Sequence, residues 1–284
     1  MENIFAHYVV NFDPFAFRFP EGWFLEGVRW YGLSYLAGFV VALLLFNYYY
    51  KKGKSPLTPD DNSSLITYLL FGVIVGGRLG YMLFYDFANF IENPLVLFQI
   101  WKGGMASHGG FIGCVVAMML FARSRKVSFW TVADIVVISA TPGIFFGRLA
   151  NFVNGELWGK VSDVSWAMIF PNSAPNVALE NISARHPSQL YEAFAEGLLI
   201  FVILQWRFWK GKLPAGRLSG EFLVIYAIMR VVCEIFREPD VGVSLLLGLS
   251  RGTFYSLLTF VIGVVIIIYS KKNTSQIENK SSKK

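Results

Sequence analysis

The sequence predicts an all-α polytopic membrane protein of about seven transmembrane helices. Three observations carry that prediction. The 284 residues are 55% hydrophobic and only 15% charged, where a soluble domain carries about 25% charged residues. Apolar runs near the length needed to cross a hydrocarbon core recur along the whole chain. The basic residues gather in alternate loops between those runs.

The runs fall at roughly 31–50, 65–85, 107–122, 131–150, 189–206, 219–236 and 252–270. At 1.5 Å per helical residue each spans most or all of a ~30 Å core, the third and fifth being the shortest. The first 30 residues carry Glu2, Asp13, Glu21 and Glu26 and no leading basic region, so no cleavable signal peptide is expected. Lysines and arginines follow spans one, three and five and fill the tail: Lys51, Lys52, Lys54, Arg123, Arg125, Lys126, Arg207, Lys210, Lys212, Arg217, Lys271, Lys272, Lys280, Lys283 and Lys284. The opposite loops hold Arg18, Arg29, Lys102, Lys160, Arg185, Arg237 and Arg251. That bias puts the C-terminus in the cytoplasm and the N-terminus outside, which an odd number of spans requires. Clusters such as "WYGLSY", "NYYY" and "QWRFW" sit where span ends meet headgroups. The organisation expected is one integral membrane domain over 1–284. It has an outer-face loop at 151–188 after the fourth helix and a basic cytoplasmic tail at 271–284 that reads as disordered and solvated. The net charge of +6 reports orientation, not nucleic-acid binding. Cys114 and Cys233 lie in apolar runs and read as free, buried thiols. His7, His108 and His186 have no metal-ligand spacing.

Polar clusters interrupt this pattern. A charge at mid-bilayer costs roughly 2.5–3.5 kcal/mol on insertion scales, so each intramembrane charge is a candidate functional residue. In "GRLANFVNGELWG", Arg148 and Asn151 share a helical face, with Asn154, Glu156 and the glycines Gly147, Gly155 and Gly159 nearby. A guanidinium beside amides suits a phosphate or carboxylate; the plainer alternative is an Arg148–Glu156 ion pair. In "YAIMRVVCEIFREPD", Arg230, Glu234 and Arg237 fall on one stripe. Two arginines against one carboxylate leave positive charge, which an anionic ligand explains better than a structural triad, since buried ion pairs contribute little net stability. "SHGGFIG" opens span three with His108, a residue type that often accepts protons, though a histidine at a span end also serves as a headgroup-level hydrogen bonder. "RHPSQLYE" reads as a helix start at Pro187 and Ser188, with Gln189, Tyr191 and Glu192 as polar packing and His186 undecided. Tyr31 in "RWYGLSY" opens span one and reads as an interfacial anchor. "GGRLGYMLF" at the end of span two echoes "FGRLANFVN" at the end of span four, placing Arg78 at a depth like that of Arg148. All five clusters fall at the outer leaflet. They imply a cavity for an anionic, membrane-resident substrate. A transporter or flippase of an anionic lipid is the alternative; its site is expected nearer the midplane between repeats.

At these residues the chain resembles the prolipoprotein diacylglyceryl transferases of bacterial membranes. "GRLANFVNGELWG" matches that family's signature, and "WYGLSY", "SHGGFIG", "RHPSQLYE" and "FREPD" match further segments in order, from about Trp30 to about Tyr269. The resemblance implies transfer of the diacylglyceryl group of phosphatidylglycerol to the thiol of the lipobox cysteine of a prolipoprotein signal peptide. A thioether forms and glycerol phosphate leaves, as the first step of bacterial lipoprotein maturation. It implies a multi-pass protein of the bacterial cytoplasmic (inner) membrane, in contact with membrane lipids, with a periplasmic N-terminus, a periplasmic loop region and an active site near the outer leaflet. It implies His108 as base and Arg148 and Arg230 as the cations that meet the departing phosphate. Asn151, Tyr31, Glu156, Gly159, Glu234 and Arg237, with Arg148, match substrate-binding positions. No cofactor and no metal is implied.

Overall fold

The computed structural model describes residues 7–23, 26–99, 103–239 and 248–281, with side chains of the last helix described to Lys272. Lys102 and the tail residues Lys283 and Lys284 of the charge pattern lie outside the described residues.

The chain is mostly helical. α1 spans Trp30–Lys51, α2 Pro59–Phe84, α3 Phe87–Glu92, α4 Ser107–Arg125 and α5 Phe129–Val153. α6 (Ser188–Glu192) runs through a π-helical stretch, Ala193–Leu199, into α7 (Ile200–Lys210). α8 is Arg217–Glu234 and α9 Arg251–Ser281. Helices stand at all seven expected positions, and α9 continues to Ser281, into the tail where composition suggests disorder. Five of them, α1, α2, α4, α5 and the α9 segment to Lys272, are long and apolar enough to cross a membrane. The fifth and sixth expected spans do not meet that measure. One is interrupted by the π-stretch and holds Glu192 and Glu196; the other, α8, holds Arg217, Glu221, Arg230 and Glu234.

The termini of these helices have local causes. α2 begins six residues before the expected boundary because Thr58 caps it. The Thr58 hydroxyl accepts from the Asp61 N–H at 3.2 Å, the Asp61 carboxylate accepts from the Thr58 N–H at 3.1 Å, and Pro59 takes the first turn. Two small sheets lie outside the helices. β1 (Tyr8–Val9) pairs in parallel with β4 (Met168–Ile169), tying the N-terminal segment to the loop after α5. β2 (Phe15–Arg18) pairs antiparallel with β3 (Gly27–Arg29), a hairpin that leads directly into α1.

The chain divides into two compact units, Met1–Ala42 with Val136–Lys284, and Leu43–Ile135. In the second, α2 and α4 pack backbone to backbone. Gly72, Gly76 and Gly80 on α2 lie against Gly109 and Gly113 on α4, and none leaves room for a Cβ. Small residues at such contacts are the means by which helices associate without a hydrophobic driving force. Gly109 and Gly113 of "SHGGFIG" are therefore helix-packing residues. In the first unit α8 and α9 meet the same way at Gly220 and Gly263.

α5 carries Pro142 in its interior. A proline cannot donate to the carbonyl four residues back, and in lipid an orphaned carbonyl is costly. The carbonyl concerned, Ile138, accepts instead from the Gln205 side chain of α7 at 3.0 Å. The proline is thus accommodated by a polar residue on a neighbouring helix. Gln205→Leu should destabilise the protein by ~1–3 kcal/mol, read as a lower unfolding midpoint in detergent; an unchanged midpoint shows that Ile138 has another partner.

Candidate functional site

Apart from Arg78, the charges that the sequence places in apolar segments meet in the first unit. Arg148 is near the end of α5, Glu192 ends α6, Glu196 lies in the π-stretch, Arg230 and Glu234 are on the last turns of α8, and Arg237 follows it. Backbone proximity sets their spacing. Gly197 of the π-stretch lies against Phe145 of α5, one turn before Arg148, and a Cβ there would stand 2.6–2.7 Å from Phe145 atoms. π-turns recur at functional sites. Here the turn carries two carboxylates four residues apart to the same two arginines.

Glu192 and Glu196 are fully buried. Arg148 contacts Glu192 at 2.8 Å and Glu196 at 2.9 Å. Arg230 lies 3.2 Å from Glu192, 3.6 Å from Glu196 and 2.7 Å from Glu234. Arg237 reaches Glu192 at 3.2 Å. Glu234 in turn accepts from the Ser250 hydroxyl at 2.8 Å and lies against Gly252 in the first turn of α9. A carboxylate is favoured there by the exposed N–H groups and dipole of the helix start.

This network corrects two readings of the sequence. The positive stripe on α8 is not left unneutralised, because Glu192 and Glu196 bring the network to three guanidiniums and three carboxylates. Arg148 pairs with those two glutamates, while Glu156 accepts from the Asn151 amide at 2.7 Å. From sequence Glu192 reads as polar packing, and Glu196 is not singled out. The signal was present, since two acids in an apolar run cost as much as the arginines did.

The other expected residues sit as follows. Asn151 is buried, and its partner Glu156 belongs to a turn held by α6. Gln189 donates to the Glu156 carbonyl at 2.7 Å and Ser188 to the Leu157 carbonyl at 3.0 Å. Leu157 takes a left-handed backbone, φ +58, uncommon for a residue with a side chain. Helix α6 thus joins the Asn151–Glu156 pair to the arginine network. Gly159 is buried, donates its N–H to the His186 carbonyl at 2.9 Å, and is enclosed by the His186 and Phe236 carbonyls. Tyr31 is half-buried in the first turn of α1, its ring 5.4 Å from that of Tyr35.

His108 and Arg78 belong to the other unit. His108 lies exposed in the first turn of α4. Arg78 is buried and donates to five carbonyls: Val96 at 2.6 Å, Leu97 at 3.1 Å, Gln99 at 3.2 Å, Gly104 at 3.0 Å, and Gly103. It clasps the loop that leads into α4. The sequence echo between Arg78 and Arg148 therefore does not extend to their partners, which are carbonyls in one case and carboxylates in the other.

Several membrane-length helices and a charged network buried among helices define a polytopic membrane protein with an internal polar site. The profile of the family described as prolipoprotein diacylglyceryl transferase matches residues 22–269. Among the relatives, the phosphatidylglycerol–prolipoprotein diacylglyceryl transferase of Pseudoalteromonas translucida is 48% identical over 250 residues, covering 88% of this chain and 91% of its own. The protein of the same name from Idiomarina loihiensis is 43% identical over 265 residues, covering 92% and 94%. That from Coxiella burnetii is 44% identical over 259 residues, covering 90% and 94%. This chain belongs to the prolipoprotein diacylglyceryl transferase family.

The packing makes a contrast that is open to test. Gly197→Ala should cost ~1–3 kcal/mol by overpacking against α5, whereas Gly147→Ala, whose Cβ meets nothing within 4 Å, should leave the unfolding midpoint unchanged or raise it. Equal midpoints for the two variants would mean that the Gly197–Phe145 approach does not set the helix spacing.

Proposed function

We propose that this chain transfers the diacylglyceryl group of phosphatidylglycerol to the thiol of the lipobox cysteine in a prolipoprotein, forming a thioether and releasing glycerol phosphate. The observation that carries the proposal is membership of a family whose relatives are named for this reaction, in a chain that gathers three guanidiniums within apolar helices.

The substrate cysteine loses its proton, because the thiolate is the nucleophile. Its sulfur attacks a glycerol carbon of the lipid, the C–O bond breaks, and the phosphate leaves with the electron pair. Arg148 and Arg230 are the cations assigned to the phosphate, with Arg237 beside them. Fixed guanidiniums aimed at a developing anion in a water-poor site lower the barrier more than they would in water. Asn151, Glu156, Glu234, Gly159 and Tyr31 are assigned to binding and orienting the lipid. Asn151 and Glu156 are suited to the headgroup by their mutual hydrogen bond, and Glu234 holds Arg230. His108 is the assigned base by its place in the matched segment. The enzyme supplies no thiol: Cys233 is buried and Cys114 half-buried.

The topology proposed is seven spans in one membrane domain over 1–284, with α6 through α7 and α8 as the two charged spans. The N-terminus and the 151–188 loop face the periplasm, the 271–284 tail faces the cytoplasm of a bacterial inner membrane, and the active site lies near the outer leaflet. The basic-residue bias supports this orientation.

Purified protein incubated with phosphatidylglycerol and a lipobox peptide should yield a thioether-linked diacylglyceryl adduct by mass spectrometry. Arg148→Lys should fold but lose about 10²–10³-fold in rate, because one ammonium cannot present the two-pronged geometry of a guanidinium. No adduct from the wild-type protein rejects the transferase reading; full activity in the lysine variant rejects the special role of Arg148.

His108→Gln should lower the rate by about 10²–10⁴-fold if the imidazole takes the proton. Raising the pH toward the substrate thiol's reference value of about 8.5 should then recover part of the loss, since the thiol ionises unaided. A loss of that size that stays constant up to about pH 9 removes His108 as base.

A further inference from the structure

The two buried glutamates are bound unequally. Both oxygens of Glu192 are engaged: Oε2 lies 2.8 Å from Arg148 and 3.5 Å from Arg237, and Oε1 lies 3.2 Å from both Arg230 and Arg237. Glu196 meets Arg148 through Oε2 at 2.9 Å. Its Oε1 stands 3.6 Å from Arg230 and accepts no hydrogen bond. A buried acceptor left without a donor is costly and uncommon. The side chains of Arg148 and Arg230 keep 18% and 14% of their surface exposed, while neither glutamate keeps any. Arg148 and Arg230 are thus not wholly enclosed, and one of their two shared counter-ions is held at hydrogen-bond distance through a single oxygen.

We propose that Glu192 is a positioning residue that fixes all three guanidiniums, and that Glu196 is an exchangeable counter-ion displaced by the substrate phosphate. The inference rests on the reading of the arginines as the site of the phosphatidylglycerol phosphate. The balance of charge motivates it. Among the described residues the three guanidiniums and three carboxylates of the network balance, so a phosphodiester arrives as a surplus anion. It is accommodated at least cost by taking the place of Glu196, because Glu234, whose Oε2 likewise accepts no hydrogen bond, is held 2.7 Å from Arg230 by that oxygen and 2.8 Å from the Ser250 hydroxyl by the other. Phosphate oxygens suit the guanidinium fork as well as a carboxylate does, so Arg148 and Arg230 exchange one anion for another. Arg237 and Glu192 hold the frame during the exchange. When glycerol phosphate departs, Glu196 closes on the arginines again and disfavours rebinding.

The two glutamates then differ in the sign of one measurement. In nanodiscs of varied phosphatidylglycerol content, with a lipobox peptide as acceptor, Glu196→Gln should lower KM for the lipid roughly fivefold or more and tighten inhibition by glycerol phosphate by a similar factor. Glu192→Gln should lower kcat by about 10²-fold, the size of effect expected from misplaced catalytic groups, without lowering KM. A purely structural pair would give the same loss in both variants. A KM in Glu196→Gln that is unchanged or raised overturns the exchange, even where the wild-type enzyme transfers normally. Absence of transfer by the wild type fells the transferase reading and this inference with it. Should Glu196→Gln show no cooperative unfolding, the wild type decides. Its infrared difference spectrum, phosphatidylglycerol nanodiscs minus zwitterionic ones, should show a perturbed glutamate carboxylate stretch, and a flat difference in that region overturns the proposal.

Discussion

The rest of the first unit depends on one constraint: a charge removed from water must meet an opposite charge at hydrogen-bonding distance. Glu192 is where that constraint is met most fully, since three arginines from two helices and a following turn reach its two oxygens. The elements around it are arranged accordingly. The backbone of the π-stretch approaches α5 through Gly197, which brings Arg148 within reach. The turn after α8 is held to the loop at Gly159, where the Lys160 N–H donates to the Phe236 carbonyl at 2.9 Å, and Arg237 is the next residue. Removing a partner from such a network costs far more than the network contributes as a whole, because it strands a buried charge. The network is therefore better understood as fixing geometry than as stabilising the fold.

Much of this was legible in the sequence. The helical segments follow from apolar runs, but the start of α2 does not, because its cap at Thr58 precedes the apolar run that marks the span. The arginines stood out because they interrupt apolar runs. The pairing did not follow. Sequence spacing reports neighbours on one helix, and it found Arg230 and Glu234, which do pair, four residues apart. It cannot report that Glu192 and Glu196 meet Arg148, more than forty residues away. The π-stretch is also invisible to a 3.6-residue period, because its wider turn shifts the face on which Glu196 falls relative to α7. Glu192 reads as polar packing because it falls in the first turn of an expected helix beside Gln189 and Tyr191.

Arg78 and Arg148 show how little local sequence says about partners. Both stand in "GRL", and both lie near the end of a long helix. Arg78 donates to carbonyls of the 96–104 loop, a neutral set of acceptors that spread its charge over five dipoles. Such an arginine is saturated by backbone and suits a structural clasp. Arg148 is matched by two side chains, and ion pairs between side chains can be exchanged. The glycines in "SHGGFIG" make the same point in reverse. Glycines there permit close approach of either a substrate or another helix, and at Gly109 and Gly113 it is the backbone of α2 that approaches.

The order of charges along the chain adds an argument about assembly. It runs Arg148, Glu192, Glu196, Arg230, Glu234, Arg237. α8 carries its own partial compensation, since Arg230 and Glu234 pair within the helix at 2.7 Å. The bases of the segment from α6 to α7, Arg207 and Lys210, stand at its far end, and its two acids meet one guanidinium from α5 and the others from α8 and the turn after it. In the two-stage view of membrane folding, helices insert first and associate afterwards. Arg230 and Arg237, which come with α8 and the turn after it, supply the remaining cations to these acids. The network of side chains is therefore complete only with α8 in place. The same electrostatic requirement that makes the network expensive as a store of stability makes it selective for one arrangement of α5, α6 and α8.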